Sequence, residues 1–389
     1  MIRDILYKFF MLTVCSAMFC GCRKDEPLQP SVSEPIDSAY IGEVKGFFLL
    51  NEGNMGSNKA TLDFCHYNHA SCGCMLYKRN IYPERNPSAV MELGDVGNDI
   101  KIYGNKLYAV INCSNKVTVM NVRTAVRIGE VAINNCRSIV FHGKYAYVSS
   151  YAGPVAIDPN ARLGYVARID TASLQIDATC ATGYQPEEMT VRDNKLYVAN
   201  SGGYRAPNYD NSISVIDLDS FTEIRKITVG INLRRMVQDR YGNIYVSSAG
   251  NYDNIKSNLY VIDRQDRVAN VLNVEASAMT LCGDSLYVVY GIDRNHSAAI
   301  NASYTLINTL TKTIVSTQFI DNESKTLIKT PYGIAVHPEN GEILIADADN
   351  YITPGRLFRL NRAGKLLQTI TTGDIPAHIA FTRKELKTR

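Results

Sequence analysis

Charged and polar side chains recur at matched positions along this chain, and they are the residues whose types could do chemistry. Asn98, Arg137, Glu187, Arg234, Ser277 and Tyr332 each enter a short apolar strand, at spacings of roughly 40–60 residues. Asp99, Glu188, Arg235 and His378 stand beside that set. Guanidiniums and carboxylates at one level suit two jobs: holding an anionic or amide-bearing ligand, or tying neighbouring units together by ion pairs. Tyrosines in Asn-, Asp-, Ser- and Gly-rich segments form a second set: Tyr151, Tyr204, Tyr209, Tyr252 and Tyr351. Tyrosine combines apolar area with a polar tip and loses little entropy when fixed, which suits recognition. Asn-Tyr-Asp-Asn occurs at 208–211 and again at 251–254, and Asp347-Ala348-Asp349-Asn350-Tyr351 is related to it. A third set, Cys65, His66, His69, Cys72 and Cys74, offers soft metal donors. Cys72-Gly73-Cys74 lacks the spacer usual for zinc, however, and the segment reads as a hairpin, so no metal site is expected. There is no nucleophile elbow, phosphate-binding glycine loop or zinc helix motif. No residue is therefore assigned as catalytic, no cofactor is implied, and a binding role is expected in place of an enzymatic one. The enzymatic alternative, a lactonase or lyase, would require a metal at the site.

The elements that must position these residues follow from a repeated phrase, Gly-x-x-apolar-Tyr-apolar. Clear copies surround Tyr108, Tyr147, Tyr197, Tyr245 and Tyr287, while Phe47-Phe48-Leu49 and Ile343-Leu344-Ile345 occupy the same slot. Repeats of this length without helical periodicity predict an all-β propeller, one blade per repeat. A leading strand precedes each phrase from Tyr108 onward, but none precedes Phe48, and the final leading strand at 375–381 has no phrase after it. These orphans complete one another if the chain ends pair in one blade, which predicts seven blades in a closed ring. The repeated Tyr is expected to pack between blades with its hydroxyl satisfied at an edge. In this topology the connections from phrase to outer hairpin, and from one blade to the next, share a face. The tyrosine-bearing loops and the charged ring then surround one mouth of the central channel.

Formal charge is +3 over 389 residues, with no basic run, so no nucleic-acid partner is expected. The absence of tryptophan weighs against WD-type and quinoprotein blades, whose signatures rely on it. Residues 1–21 read as a lipoprotein signal peptide: Arg3 and Lys8, then an apolar run from Phe9 to Phe19, too short to span a bilayer. Gly21-Cys22 resembles a lipobox, making Cys22 the expected lipidation site and sole membrane attachment. Residues 22–43 read as a flexible tether, 44–382 as the propeller and 383–389 as a polar tail. Of the ten cysteines, those in the propeller show no disulfide spacing.

Several stretches resemble the YncE-like propellers of Bacteroidetes outer membranes. They are Phe47–Asn54, Gly94–Ile100, Gly183–Met189, Asn200–Tyr204 and Thr372–His378. More narrowly, they are similar to the cobalamin-capturing surface lipoproteins called BtuG. That resemblance implies an outer-membrane, lipid-anchored protein facing the cell exterior, and Arg23-Lys24-Asp25-Glu26 resembles the surface-export signal of such lipoproteins. It further implies a corrinoid as bound ligand and a TonB-dependent transporter as partner. Arg137 or Arg234 would meet the nucleotide-loop phosphate, Tyr and Asn groups the amide fringe, and His378 is a candidate ligand to cobalt. The alternative is a YncE-like propeller that binds a glycan, a peptide or a protein at the cell surface.

Overall fold

The computed structural model describes residues 32–36, 42–68, 75–291 and 302–387. The signal segment, Cys22, the export-like run and His69, Cys72 and Cys74 lie outside the described residues. Seven antiparallel sheets are arranged as a propeller, and the inner strands touch their neighbours all the way round. Six blades have four strands in sequence order, and the first is completed by the C-terminal strand. There Pro376–Thr382 pairs antiparallel with Gly46–Asn51, Phe47 opposite Phe381 and Leu49 opposite Ile379. The predicted closure is thus present.

The repeated phrase is the second strand of each blade, buried on both faces, as at Lys106–Ile111 and Lys195–Asn200. A strand enclosed between blades reads as a nearly continuous apolar run, which is why the phrase stands out in the sequence. Outer strands such as Ile176–Ala181 are largely exposed. Each hydrophobic cluster joins two adjacent blades, and the Tyr slot always faces the following one. Tyr108 packs with Ile139, Tyr147 with Met189, Tyr197 with Leu233, Tyr245 with Leu286 and Tyr287 with Ile343. Phe48 and Leu344 fill the same place at the remaining two interfaces.

The hydroxyls behave less uniformly than expected. Tyr197 donates to Asp266 at 2.9 Å and Tyr245 to the Thr309 carbonyl at 3.3 Å. The Tyr108 hydroxyl is buried without a hydrogen-bond partner among the described residues; its ring instead lies 4.9 Å from that of Phe141. Two boundaries also differ. Ser33–Ile36, read as tether, pairs with Met75–Lys78 as a fifth strand on the first blade. In the segment read as a polar tail, Leu386 is buried between the first two blades, and Lys387 is held by Arg85 and Arg123.

Candidate functional site

A cavity of about 520 Å³ opens at the channel mouth. Its wall comes from the phrase-to-hairpin and blade-to-blade connections, and its floor from the starts of the inner strands. The floor has a common local cause. In six blades the pairing of the innermost two strands slips by one residue near the mouth: around Asn98, Arg137–Ser138, Glu187–Glu188, Arg234–Arg235, Tyr332 and Ala377. Such a bulge leaves a residue without a cross-strand partner and redirects its side chain, here toward the channel axis. Second-strand serines support the distortion: the Ser149 hydroxyl accepts the Ser138 amide at 3.1 Å, and that of Ser247 accepts the Arg235 amide at 3.0 Å.

Three charged groups on consecutive blades form the main cluster. The Glu187 carboxylate accepts Arg137 Nε at 3.2 Å and Arg234 Nη1 at 3.0 Å, and it also accepts the Tyr151 hydroxyl. Arg137 Nη1 continues to Asn98 Oδ1 at 3.2 Å, and its guanidinium lies 4.7 Å from the Tyr151 ring centre. Arg234 reaches Asn232 Oδ1 through Nε at 3.2 Å and the Tyr252 hydroxyl through Nη2 at 3.1 Å. Burial by itself would raise the Glu187 pKa, but the two guanidiniums and the Tyr151 hydroxyl outweigh it and hold it below the ordinary value. Burial likewise opposes charge on Arg137 and Arg234, and Glu187 together with the surrounding tyrosines outweighs it, so that both guanidiniums are held above their ordinary pKa.

One level deeper, Arg235 pairs with Glu188 at 2.9 Å and donates to the Ser277 carbonyl at 3.0 Å. Across the ring, Glu52 accepts the Tyr332 hydroxyl at 2.9 Å and lies 3.2 Å from His378 Nε2. Burial and the Glu52 carboxylate push the Tyr332 phenol well above its usual pKa. Below this layer a second cavity of about 400 Å³ continues down the channel, bordered by residues of all seven inner strands, His378 and Lys101 among them.

The tyrosines meet in edge-to-face pairs: Tyr151 with Tyr204 at 6.2 Å, Tyr209 with Tyr252 at 6.4 Å and Tyr332 with Tyr351 at 6.0 Å. Tyr204, Tyr252, Tyr332 and Tyr351 border the cavity with Arg137, Glu187 and Arg234. Tyr151 and Tyr209 stand behind that lining, the first bound to Glu187 and the second directing its hydroxyl to the Asn251 carbonyl at 3.4 Å. His378 lines the deeper cavity, not the mouth. Sequence reasoning missed Glu52, because it ends the first-blade phrase and meets His378 and Tyr332 only after the ring closes. It also missed Cys113, which borders the mouth and whose thiol burial pushes to a higher pKa. No group of three or more His, Cys, Asp or Glu suited to a metal occurs among the described residues.

Fold and site together define a closed seven-bladed propeller with a charged, tyrosine-walled mouth at its loop face. The chain belongs to the family described as "Domain of unknown function (DUF5074)", whose family model matches residues 45–372. No curated protein matches it. Among solved structures it is similar to hydrazine synthase of Kuenenia stuttgartiensis, with 18% identity, a TM-score of 0.59, and 73% of this chain and 89% of that one covered. It is also similar to a quinonprotein alcohol dehydrogenase-like protein of Bacteroides thetaiotaomicron, with 15% identity, a TM-score of 0.56, and 87% and 78% covered. The WD40 domain of Neurospora crassa Pan2 is a third, with 10% identity, a TM-score of 0.51, and 74% and 79% covered. At these identities the likeness is one of fold, and function has to be argued from the site.

Proposed function

We propose that this protein is a non-enzymatic binding propeller that captures a corrinoid at its channel mouth. One observation carries the reading: a 520 Å³ cavity at the loop face, walled by tyrosines and amides and floored by fixed guanidiniums. Ligand sites usually have about 300–1,000 Å³ of such concave space, with a few convergent polar groups. That volume suits one edge of a large macrocycle. Tyr204, Tyr252, Tyr332 and Tyr351 supply flat apolar edges, and Asn98 can pair with an amide fringe. The likeness of Phe47–Asn54, Gly183–Met189 and Thr372–His378 to cobalamin-capturing surface propellers supports the choice of ligand.

In the same reading, lipid on Cys22 anchors the protein at the outer face of the outer membrane, and the ligand passes to a TonB-dependent transporter. Calorimetric titration of the chain lacking residues 1–22 with cyanocobalamin is the test. Saturable heat at micromolar protein is expected, and its absence would overturn corrinoid capture. Binding of a glycan or a peptide in its place would establish the alternative.

A further inference from the structure

We infer that Arg137 and Arg234 form a clamp for an anionic group of the ligand, of phosphodiester or carboxylate type, with Glu187 as the residue that positions both. Two guanidiniums on the third and fifth blades share the Glu187 carboxylate of the fourth, which among the described residues leaves one positive charge of the cluster without a counter-charge. The other ion pair of the mouth, Arg235 with Glu188, is complete in itself, and Glu52 is engaged with Tyr332 and His378 across the ring.

The arginines are enclosed, with side-chain exposures of 13% for Arg137 and 24% for Arg234. Enclosing a net charge is costly unless a counter-charge completes it. Because both side chains border the open cavity, a ligand can supply that charge.

Geometry agrees with charge. A guanidinium carries five N–H donors in a planar fork. Arg137 uses Nε and Nη1 on Glu187 and Asn98, and its Nη2 has no hydrogen-bond partner among the described residues. Arg234 is held from three sides, by Asn232, Glu187 and Tyr252, so its plane is fixed before any ligand arrives. Gly203 lets the tyrosine loop lie against that plane: a Cβ there would sit 2.8 Å from Arg234 Nη2 and 3.0 Å from Asn232 Oδ1.

Two guanidiniums held by one buried carboxylate are suited to forked bonds with phosphate or carboxylate oxygens. The clamp also fixes orientation. The anion-bearing edge of the ligand lies over the third to fifth blades, and its hydrogen-bond-donating edge faces Glu52 on the first.

The inference rests on the corrinoid reading only for which anion is held, the phosphodiester of the nucleotide loop. The experiment separates the two in two arms. In the first, inorganic phosphate is added to the whole chain at constant ionic strength set with chloride, and the melting temperature is followed. A rise is expected for wild type and none for Arg234→Gln. Equal shifts in both overturn the clamp whatever the corrinoids do.

In the second arm, cobalamin and cobinamide, which lacks the nucleotide loop and its phosphate, are titrated into each protein. Wild type should prefer cobalamin by tenfold or more, and Arg234→Gln should reduce that preference to within twofold. An unchanged preference in the variant overturns the clamp. If phosphate acts as expected but neither corrinoid binds, the clamp stands for another phosphate- or carboxylate-bearing ligand and corrinoid capture falls. Should Arg234→Gln not fold, Arg234→Lys keeps the charge, loses the fork and takes its place in both arms.

Discussion

Replacing Glu187 with glutamine removes the carboxylate that Arg137 and Arg234 share and leaves two mostly enclosed guanidiniums without it. The Glu187 side chain is 9% exposed, so solvent does little to screen the loss. Breaking a buried pair by removing one partner costs roughly 3–5 kcal/mol. The lower end applies, because Arg234 is a quarter exposed and glutamine keeps one acceptor oxygen. About 2.1 cal/mol/K of unfolding entropy per residue, over a propeller of this size, converts ~3 kcal/mol into a Tm lower by about 4 °C.

The pH dependence has a definite sign. Folding lowers the Glu187 pKa, so its stabilisation is complete above the unfolded carboxylate value of ~4.3 and is lost as pH falls through the lower folded value. Thermal unfolding of wild type and E187Q at pH 7 and at stepwise lower pH measures both effects. The gap should be full at pH 7 and should close below about pH 4. A gap under about 1 °C at pH 7, or one that widens in acid, would show that Glu187 does not hold the two guanidiniums in place.

The other predictions concern separate parts of the molecule. Gly203→Ala pushes the Arg234 fork and Asn232 of the fifth blade away from the fourth-blade loop, so ligand affinity should fall roughly tenfold, or ~1.4 kcal/mol, with Tm falling by less than the about 4 °C expected of E187Q; titration and melting read the two separately. Gly333→Ala puts a Cβ 1.9 Å from the Ala377 carbonyl oxygen, at the seam where the C-terminal strand closes the ring. Backbone must shift there, so a loss of at least ~1–3 kcal/mol is expected in urea unfolding, with early proteolysis near residue 376. If the residues after Cys22 direct export, replacing Lys24, Asp25 and Glu26 with alanine should protect the protein from protease added to intact cells; unchanged cleavage would rule out that role.

Much of the architecture was legible because it obeys a period. Second strands enclosed between blades must be apolar throughout, so Leu107–Ile111 and its counterparts announce themselves, and the unmatched phrase at Phe48 requires the closure by Pro376–Thr382. The floor of the site was legible for the same reason: Asn98, Arg137, Glu187, Arg234 and Tyr332 fall at one register position, and the structure places each at or beside a bulge.

What escaped has no period. Glu52 belongs to no leading strand and gains its partners only through contacts 280 and 326 residues away. Tyr151 resembles the other loop tyrosines in sequence, yet it is buried and serves Glu187. Ser33–Ile36 contains a proline and no apolar alternation, so only the exposed edge of the first blade makes it a strand.

Corrinoid capture at the mouth is a matter of location as much as of ligand. The most direct measurement is anomalous diffraction at the cobalt edge from crystals of the protein grown with cyanocobalamin. A single strong cobalt peak is expected within the mouth cavity, between the Arg137–Glu187–Arg234 cluster and Glu52 and bordered by Tyr204, Tyr252 and Tyr332. A mouth without cobalt in crystals that carry it on the outer strands or at the opposite end of the channel would contradict it.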